Sequence, residues 1–166
     1  MPEYDIETHN VQILLVEDNP NDIKLAMHAF KTNNIANVVH VVHDGAEALE
    51  FIFCTGRYAG RNIENGPKVV LLDLKLPLID GIEVLRRIRA DARTQRTPIV
   101  IMTSSKEEND ICDSYDLGVN SYIVKPVDFD QFTNVVRHLG YYWLLLNQRP
   151  TAEASARAEP LVISGQ

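Results

Sequence analysis

Val69-Val70-Leu71-Leu72-Asp73-Leu74-Lys75-Leu76-Pro77-Leu78-Ile79-Asp80-Gly81 is the stretch on which the fold turns. Four apolar residues in succession are too uniformly apolar for a strand wetted on one face, so they predict a strand covered on both. An acid, Asp73, closes the run. A loop containing Pro77 follows, and from Ile82 through Leu85 to Ile88 the apolar spacing becomes helical. A buried strand, an acid at its carboxyl end and a helix make one unit of a parallel sheet.

The same unit recurs on both sides. Upstream, Val11 to Val16 reads as a strand stopped by Glu17-Asp18-Asn19-Pro20. Asn21 and Asp22 are placed to cap a helix carrying Ile23, Ala26, Met27 and Phe30, which ends at Asn33-Asn34. Val38 to Val42 is a second strand, and Asp44 caps a second helix with Ala46, Leu49, Ile52 and Phe53 on one face. The polar, Gly-containing stretch from Thr55 to Pro67 predicts a long surface loop. Downstream, Pro98 to Met102 is a fourth strand ending at Thr103-Ser104-Ser105, and Lys106 to Leu117 is a helix closed by Gly118. Ser121 to Val124 is a fifth strand ending at Lys125-Pro126, and Phe129, Phe132, Val136, Leu139, Trp143 and Leu146 mark a long last helix. Five nearly all-apolar strands alternating with five helices predict an α/β fold with a doubly wound parallel sheet. Residues 1–10 read as a flexible N-terminus and 11–147 as one domain. Residues 148–166, rich in Ala, Pro, Ser and Thr, read as a disordered tail with no room for an effector domain.

Composition narrows the function. Sixteen Lys and Arg against twenty-three Asp and Glu leave a formal charge of −7, with the cations scattered. That balance repels nucleic acid, so DNA is not an expected partner. No apolar run approaches the ~18 residues that a membrane span needs, and the acidic start Met1-Pro2-Glu3-Tyr4-Asp5 lacks a signal peptide's basic and apolar regions. Cys54 and Cys112 are far apart and match no ligand spacing, nor do the five His residues. The expectation is a cytoplasmic protein that engages no membrane.

In an open parallel sheet, ligands bind beyond the carboxyl ends of the strands. Those ends carry Glu17-Asp18, Asp44, Asp73, Thr103 and Lys125. Glu17, Asp18 and Asp73 meet only if the first and third strands are neighbours. Three carboxylates so close require raised pKa values or a cation, and an oxygen-only donor set suits Mg²⁺. The simpler alternative is that Glu17 and Asp18 merely solvate a strand end and cap the next helix. Lys125 can pair with a carboxylate or an added anion, and Thr103, beside the small Ser104, offers one donor. A carboxylate flanked by a metal, a hydroxyl and an ammonium is arranged to receive a phosphoryl group, with the Asp as nucleophile.

The ordered set Val16-Glu17-Asp18-Asn19, Leu72-Asp73-Leu74 through Pro77 to Asp80-Gly81, Met102-Thr103-Ser104 and Val124-Lys125-Pro126 resembles the receiver domain of two-component response regulators, from about Val11 to Asn147. The resemblance implies a flavodoxin-like (βα)5 sheet with strand order 2-1-3-4-5. It implies that Asp73 accepts phosphate from a sensor histidine kinase, in a protein that assists its own phosphorylation and dephosphorylation and is not otherwise an enzyme. Asp18 would ligate Mg²⁺ (or Mn²⁺) directly, Glu17 through water, and Lys75 through its backbone carbonyl, with Asp73 completing the set. Lys125 would pair with the phosphoryl group, and Lys75 and Ser104 would contact it. Thr103 and Tyr122 would form the switch, and Lys125-Pro126 occupies the position of the family's cis peptide.

The long loop and the ending Tyr141-Tyr142-Trp143-Leu144-Leu145-Leu146 are further similar to the single-domain regulators that serve cyanobacterial phytochromes and related hybrid kinases. Independently, six successive apolar residues cover every side of a helix, so some must face outward. They predict a homodimer through Tyr141, Tyr142, Trp143, Leu145 and Leu146, extending to the fourth helix and fifth strand. Two other readings are a receiver-like module that signals by phosphate-independent binding and an aspartyl-phosphate phosphatase. The phosphatase needs a second acid two residues after its nucleophile, where this chain has Lys75. A flavin carrier would need a Gly- and hydroxyl-rich loop where the acidic Glu17-Asp18-Asn19-Pro20 stands.

Overall fold

The computed structural model describes residues 10–125, 128–148 and 150. Strands β1 (Ile13–Val16), β2 (Val39–Val42), β3 (Val69–Leu72), β4 (Ile99–Thr103) and β5 (Ser121–Val124) form one parallel sheet in the order β2-β1-β3-β4-β5. Between and after them lie helices α1 (Pro20–Thr32), α2 (Gly45–Phe53), α3 (Gly81–Ala90), α4 (Glu108–Asp116) and α5 (Phe129–Gly140). This is the doubly wound, flavodoxin-like arrangement expected from the sequence.

Strand alternation builds a core on each face. Leu14, Val16, Val70, Leu72, Ile99 and Ile101 pack with Leu49 and Ile52 of α2 and with Val84, Leu85 and Ile88 of α3. Ile13, Leu15, Val69, Leu71, Val100 and Met102 pack with Ala26, Ala29 and Phe30 of α1 and with Phe132 and Val136 of α5. The central strands β1, β3 and β4 are buried throughout, whereas the edge strands β2 and β5 are mostly half-buried. An edge strand has a sheet neighbour on one side only, so the expectation of uniform coverage fails there.

Three local expectations are corrected. Asn19, not Asn21 or Asp22, caps α1: its side chain accepts from the backbone N–H groups of Asn21 (2.9 Å) and Asp22 (3.3 Å). Pro20 then opens the helix, where a missing N–H costs nothing. Second, the segment from Thr55 to Pro67 is more than a surface loop. It contains single 3-10 turns at Gly56–Tyr58 and Ile63–Asn65, and the buried Arg61 sets its guanidinium 3.6 Å from the centroid of the Phe51 ring. Arg61 also donates to the Phe51 carbonyl, and the Tyr58 hydroxyl donates to Glu47 at 2.9 Å. A loop of this length is held by such anchors, and polarity alone did not reveal them.

Third, α5 stops at Gly140 and the chain continues as one π-helical segment, Tyr141–Leu146, where Asn147 N–H donates to the Tyr142 carbonyl at 2.7 Å. Trp143 turns inward, 9 % exposed, into the core shared with α1 and α5. Its place in an outward-facing set is therefore corrected, because its ring is packed within its own domain. Tyr141, Tyr142, Leu145 and Leu146 remain exposed. The peptide before Pro126, residues 1–9 and residues 151–166 lie outside the described residues, and with them the cis-peptide expectation and those for most of both termini. No helix among the described residues is long and apolar enough to cross a membrane.

Candidate functional site

Register brings the acids together. Val16 lies opposite Leu72 in the β1–β3 ladder, and the Asp73 N–H continues it by donating to the Val16 carbonyl at 3.1 Å. Glu17 and Asp73 are thus level, one residue beyond neighbouring strands, and both are buried. Across the sheet, the Lys125 N–H donates to the Thr103 carbonyl at 2.8 Å, placing Lys125 at the same edge.

Lys125 Nζ closes the cluster. It lies 2.6 Å from Glu17 Oε2, 2.8 Å from Asp73 Oδ2 and 2.8 Å from Asp22 Oδ2. The second oxygens of Glu17 and Asp73 are also held: Asn19 N–H donates to Glu17 Oε1 at 3.1 Å, and Lys75 N–H donates to Asp73 Oδ1 at 3.1 Å. Glu17, the exposed Asp18 and Asp73 each offer an oxygen within 4.8 Å of the others. That oxygen-only set fits a hard divalent cation, and three acids around one ammonium leave negative charge for it to neutralise.

The electrostatics follow from burial. Desolvation pushes the Glu17 carboxyl up and the Asp73 charge adds to this, outweighing the Lys125 hydrogen bond, so its pKa rises to about 7. For Lys125, burial pulls the other way, but hydrogen bonds to Asp22, Asp73 and Glu17 overcome it and hold the ammonium above the ordinary lysine range. Lys125 is a cation throughout the physiological range.

On β4, Thr103 is fully buried and its hydroxyl accepts from the Ser105 N–H at 3.4 Å. Ser105 donates through Oγ to Asp110 at 2.5 Å, and its carbonyl accepts the Tyr122 hydroxyl at 3.0 Å. Thr103 and Tyr122 therefore both engage the connection into α4 through Ser105. Ser104 and the Lys75 side chain are exposed.

Two residues of the site were not legible as such. Asp22 read as a helix cap but lies against Lys125. Gly81 read as part of a motif, but a Cβ there would come 2.4 Å from the Asp73 carbonyl oxygen and 2.6 Å from Leu74 Cα. The start of α3 passes directly against the Asp73–Leu74 backbone. Nothing local in the sequence marks either of them.

A buried acid at the end of the third strand, an acid pair at the end of the first and a lysine at the end of the fifth define a receiver-type module on a 2-1-3-4-5 sheet. Comparison with known proteins agrees. Residues 13–137 match the response regulator receiver domain, and the chain belongs to that family. It is 36 % identical to response regulator Rcp1 of Synechocystis sp. over 142 residues, covering 84 % of this chain and 93 % of that one. The crystal structure of the Mn(2+)-bound form of Rcp1 superposes with a TM-score of 0.75 at 34 % identity, covering 84 % of this chain and 98 % of that one. The phosphorylated cyanobacterial phytochrome response regulator RcpA gives 0.76 at 39 % identity, over 84 % and 97 %. The bacteriophytochrome response regulator AtBRR gives 0.64 at 48 % identity, over 82 % and 96 %. The protein is a receiver-domain response regulator homologous to phytochrome response regulators.

Proposed function

We propose that the protein accepts a phosphoryl group on Asp73 from a sensor histidine kinase, a phytochrome or related hybrid kinase, in a Mg²⁺-dependent reaction. The signal then passes on through protein contacts or onward phosphoryl transfer. The observation that carries this reading is the Lys125 ammonium 2.8 Å from Asp73, with Glu17 and Asp18 beside it. The kinase class is supported by the phytochrome regulators among the relatives.

Glu17, Asp18, Asp73 and the Lys75 carbonyl would hold the cation, which when bound neutralises charge on the phosphoryl oxygens. Asp73 supplies the nucleophilic carboxylate: its oxygen forms the new O–P bond while the P–N bond to the donor imidazole breaks, the nitrogen keeping the electron pair. Lys125 and the Thr103 hydroxyl donate to phosphoryl oxygens, and Lys75 and Ser104 contact the group. Thr103 and Tyr122, both tied to Ser105, relay the change to the connection before α4. The protein acts in the cytoplasm as a signalling phosphoprotein that assists its own phosphorylation and dephosphorylation. It binds no DNA.

The homodimer rests on Tyr141, Tyr142, Leu145 and Leu146, whose exposure supports it. The segment 107–116 carries five carboxylates and no Lys or Arg, so like-charge repulsion disfavours pairing two copies face to face through α4.

The test is intact mass after incubation with acetyl phosphate, with and without Mg²⁺. We expect a Mg²⁺-dependent gain of one phosphoryl group that Asp73→Asn abolishes while its melting temperature stays near wild type. No gain under any condition would overturn the reading and favour the phosphate-independent module.

A further inference from the structure

Asp22 stands in the first turn of α1, where its carboxylate is not needed as a cap because Asn19 already fills that role. It reaches Lys125 instead. An ammonium has three protons to donate, and here all three have acceptors: Glu17 at 2.6 Å, Asp73 at 2.8 Å and Asp22 at 2.8 Å. A phosphoryl group on Asp73 brings new oxygens that call on the same ammonium, so one of these bonds must be given up.

The three acceptors are not equivalent. Glu17 and Asp73 belong to the oxygen cluster shared with Asp18, and Asp22 does not. The Asp22 side chain is 38 % exposed, against 5 % for Glu17 and 7 % for Asp73. Water can therefore satisfy Asp22 when Lys125 leaves it, which is not so for the two buried acids. Asp22 also sets a fixed negative charge beside the path of an incoming phosphoryl dianion.

We propose that Asp22 is a positioning residue that competes with the phosphoryl group for the Lys125 ammonium and so restrains phosphorylation of Asp73. The inference rests on the phosphoacceptor reading above. Competition for the third proton and repulsion of the donor act in the same direction. Removing the charge while keeping the shape releases both.

The experiment follows phosphorylation by acetyl phosphate and Mg²⁺ as intact mass against time. In this step the Asp73 oxygen bonds to phosphorus as the acetyl P–O bond breaks, and acetate leaves with the electron pair. Asp22→Asn is expected to raise the initial rate at sub-saturating donor by about three- to tenfold, the weight of one partly exposed charge-assisted hydrogen bond. The gain falls on the half-saturating donor concentration rather than the maximal rate, and Asp22→Glu restores wild-type behaviour. Melting in EDTA moves the opposite way or not at all, since the substitution removes an ion pair and a helix-start charge from the metal-free protein. With wild type that does become labelled, an Asp22→Asn rate equal to or below the wild-type rate would overturn the inference alone. A wild type that gains no phosphoryl group would overturn it together with the reading beneath it.

Discussion

Lys125 Nζ lies 2.6 Å from Glu17 Oε2, although 108 residues of chain separate the two. The contact spans the sheet edge from the end of β5 to the end of β1, over the two strands between them. One ammonium thereby offsets a set of acids that would otherwise repel one another. The offset does not cancel the cost of burying the Glu17 carboxylate, and with the Asp73 charge beside it Glu17 holds a proton much more readily than a free glutamate.

That proton makes stability depend on pH in a definite direction. The folded-state pKa of Glu17 is raised from 4.5 to about 7. Between those values the folded protein binds a proton that the unfolded chain does not, so the contribution of Glu17 to stability falls as pH rises through that window and levels off above it. Urea denaturation in EDTA from pH 4.5 to 8 is expected to show this fall, and Glu17→Gln to flatten it. Binding of Mn²⁺ must displace the same proton, so its affinity rises with pH over the same range, by up to about tenfold per unit. An identical pH slope in wild type and Glu17→Gln would refute the assignment.

Gly81 predicts a separate failure. An added Cβ meets backbone, the Asp73 carbonyl oxygen at 2.4 Å and Leu74 Cα at 2.6 Å, so no side-chain rotation relieves it. Gly81→Ala is expected to cost about 1–3 kcal/mol by overpacking. If Asp73 is labelled as proposed, Gly81→Ala should also slow acetyl phosphate labelling by at least about tenfold, because the Asp73 backbone is displaced. Labelling at the wild-type rate would show that the loop accommodates the methyl group without moving Asp73.

Two substitutions after α5 distinguish the proposed dimer face from core packing. Leu145 is 69 % exposed, so Leu145→Asp should change monomer stability by no more than about 0.5 kcal/mol while lowering the mass found by light scattering. Trp143→Ala should instead destabilise the domain by about 3–5 kcal/mol, since the ring is buried. Truncation after Gly140 would confound the two effects, because it also removes the Leu144 carbonyl that Lys68 Nζ holds at 3.3 Å. An unchanged dimer in Leu145→Asp would exclude this face.

The sequence by itself determined what is settled over a few residues. The apolar runs of β1, β3 and β4, the cap Asp44, the left-handed Gly118 and the kind of side chain at each strand end all follow from local pattern and short-range hydrogen bonding. Tertiary structure decided what those residues meet. Strand order set Glu17 level with Asp73, the path from β5 carried Lys125 between them, and Asp22 turned to that ammonium once Asn19 had taken the cap. It also drew Arg61 onto Phe51 and Trp143 into the core, against the polarity of one segment and the unbroken apolar run of the other. The division has a physical cause. Propensity and capping are interactions within a turn or two of chain, whereas the ion pairs that neutralise the site join groups 52 to 108 residues apart.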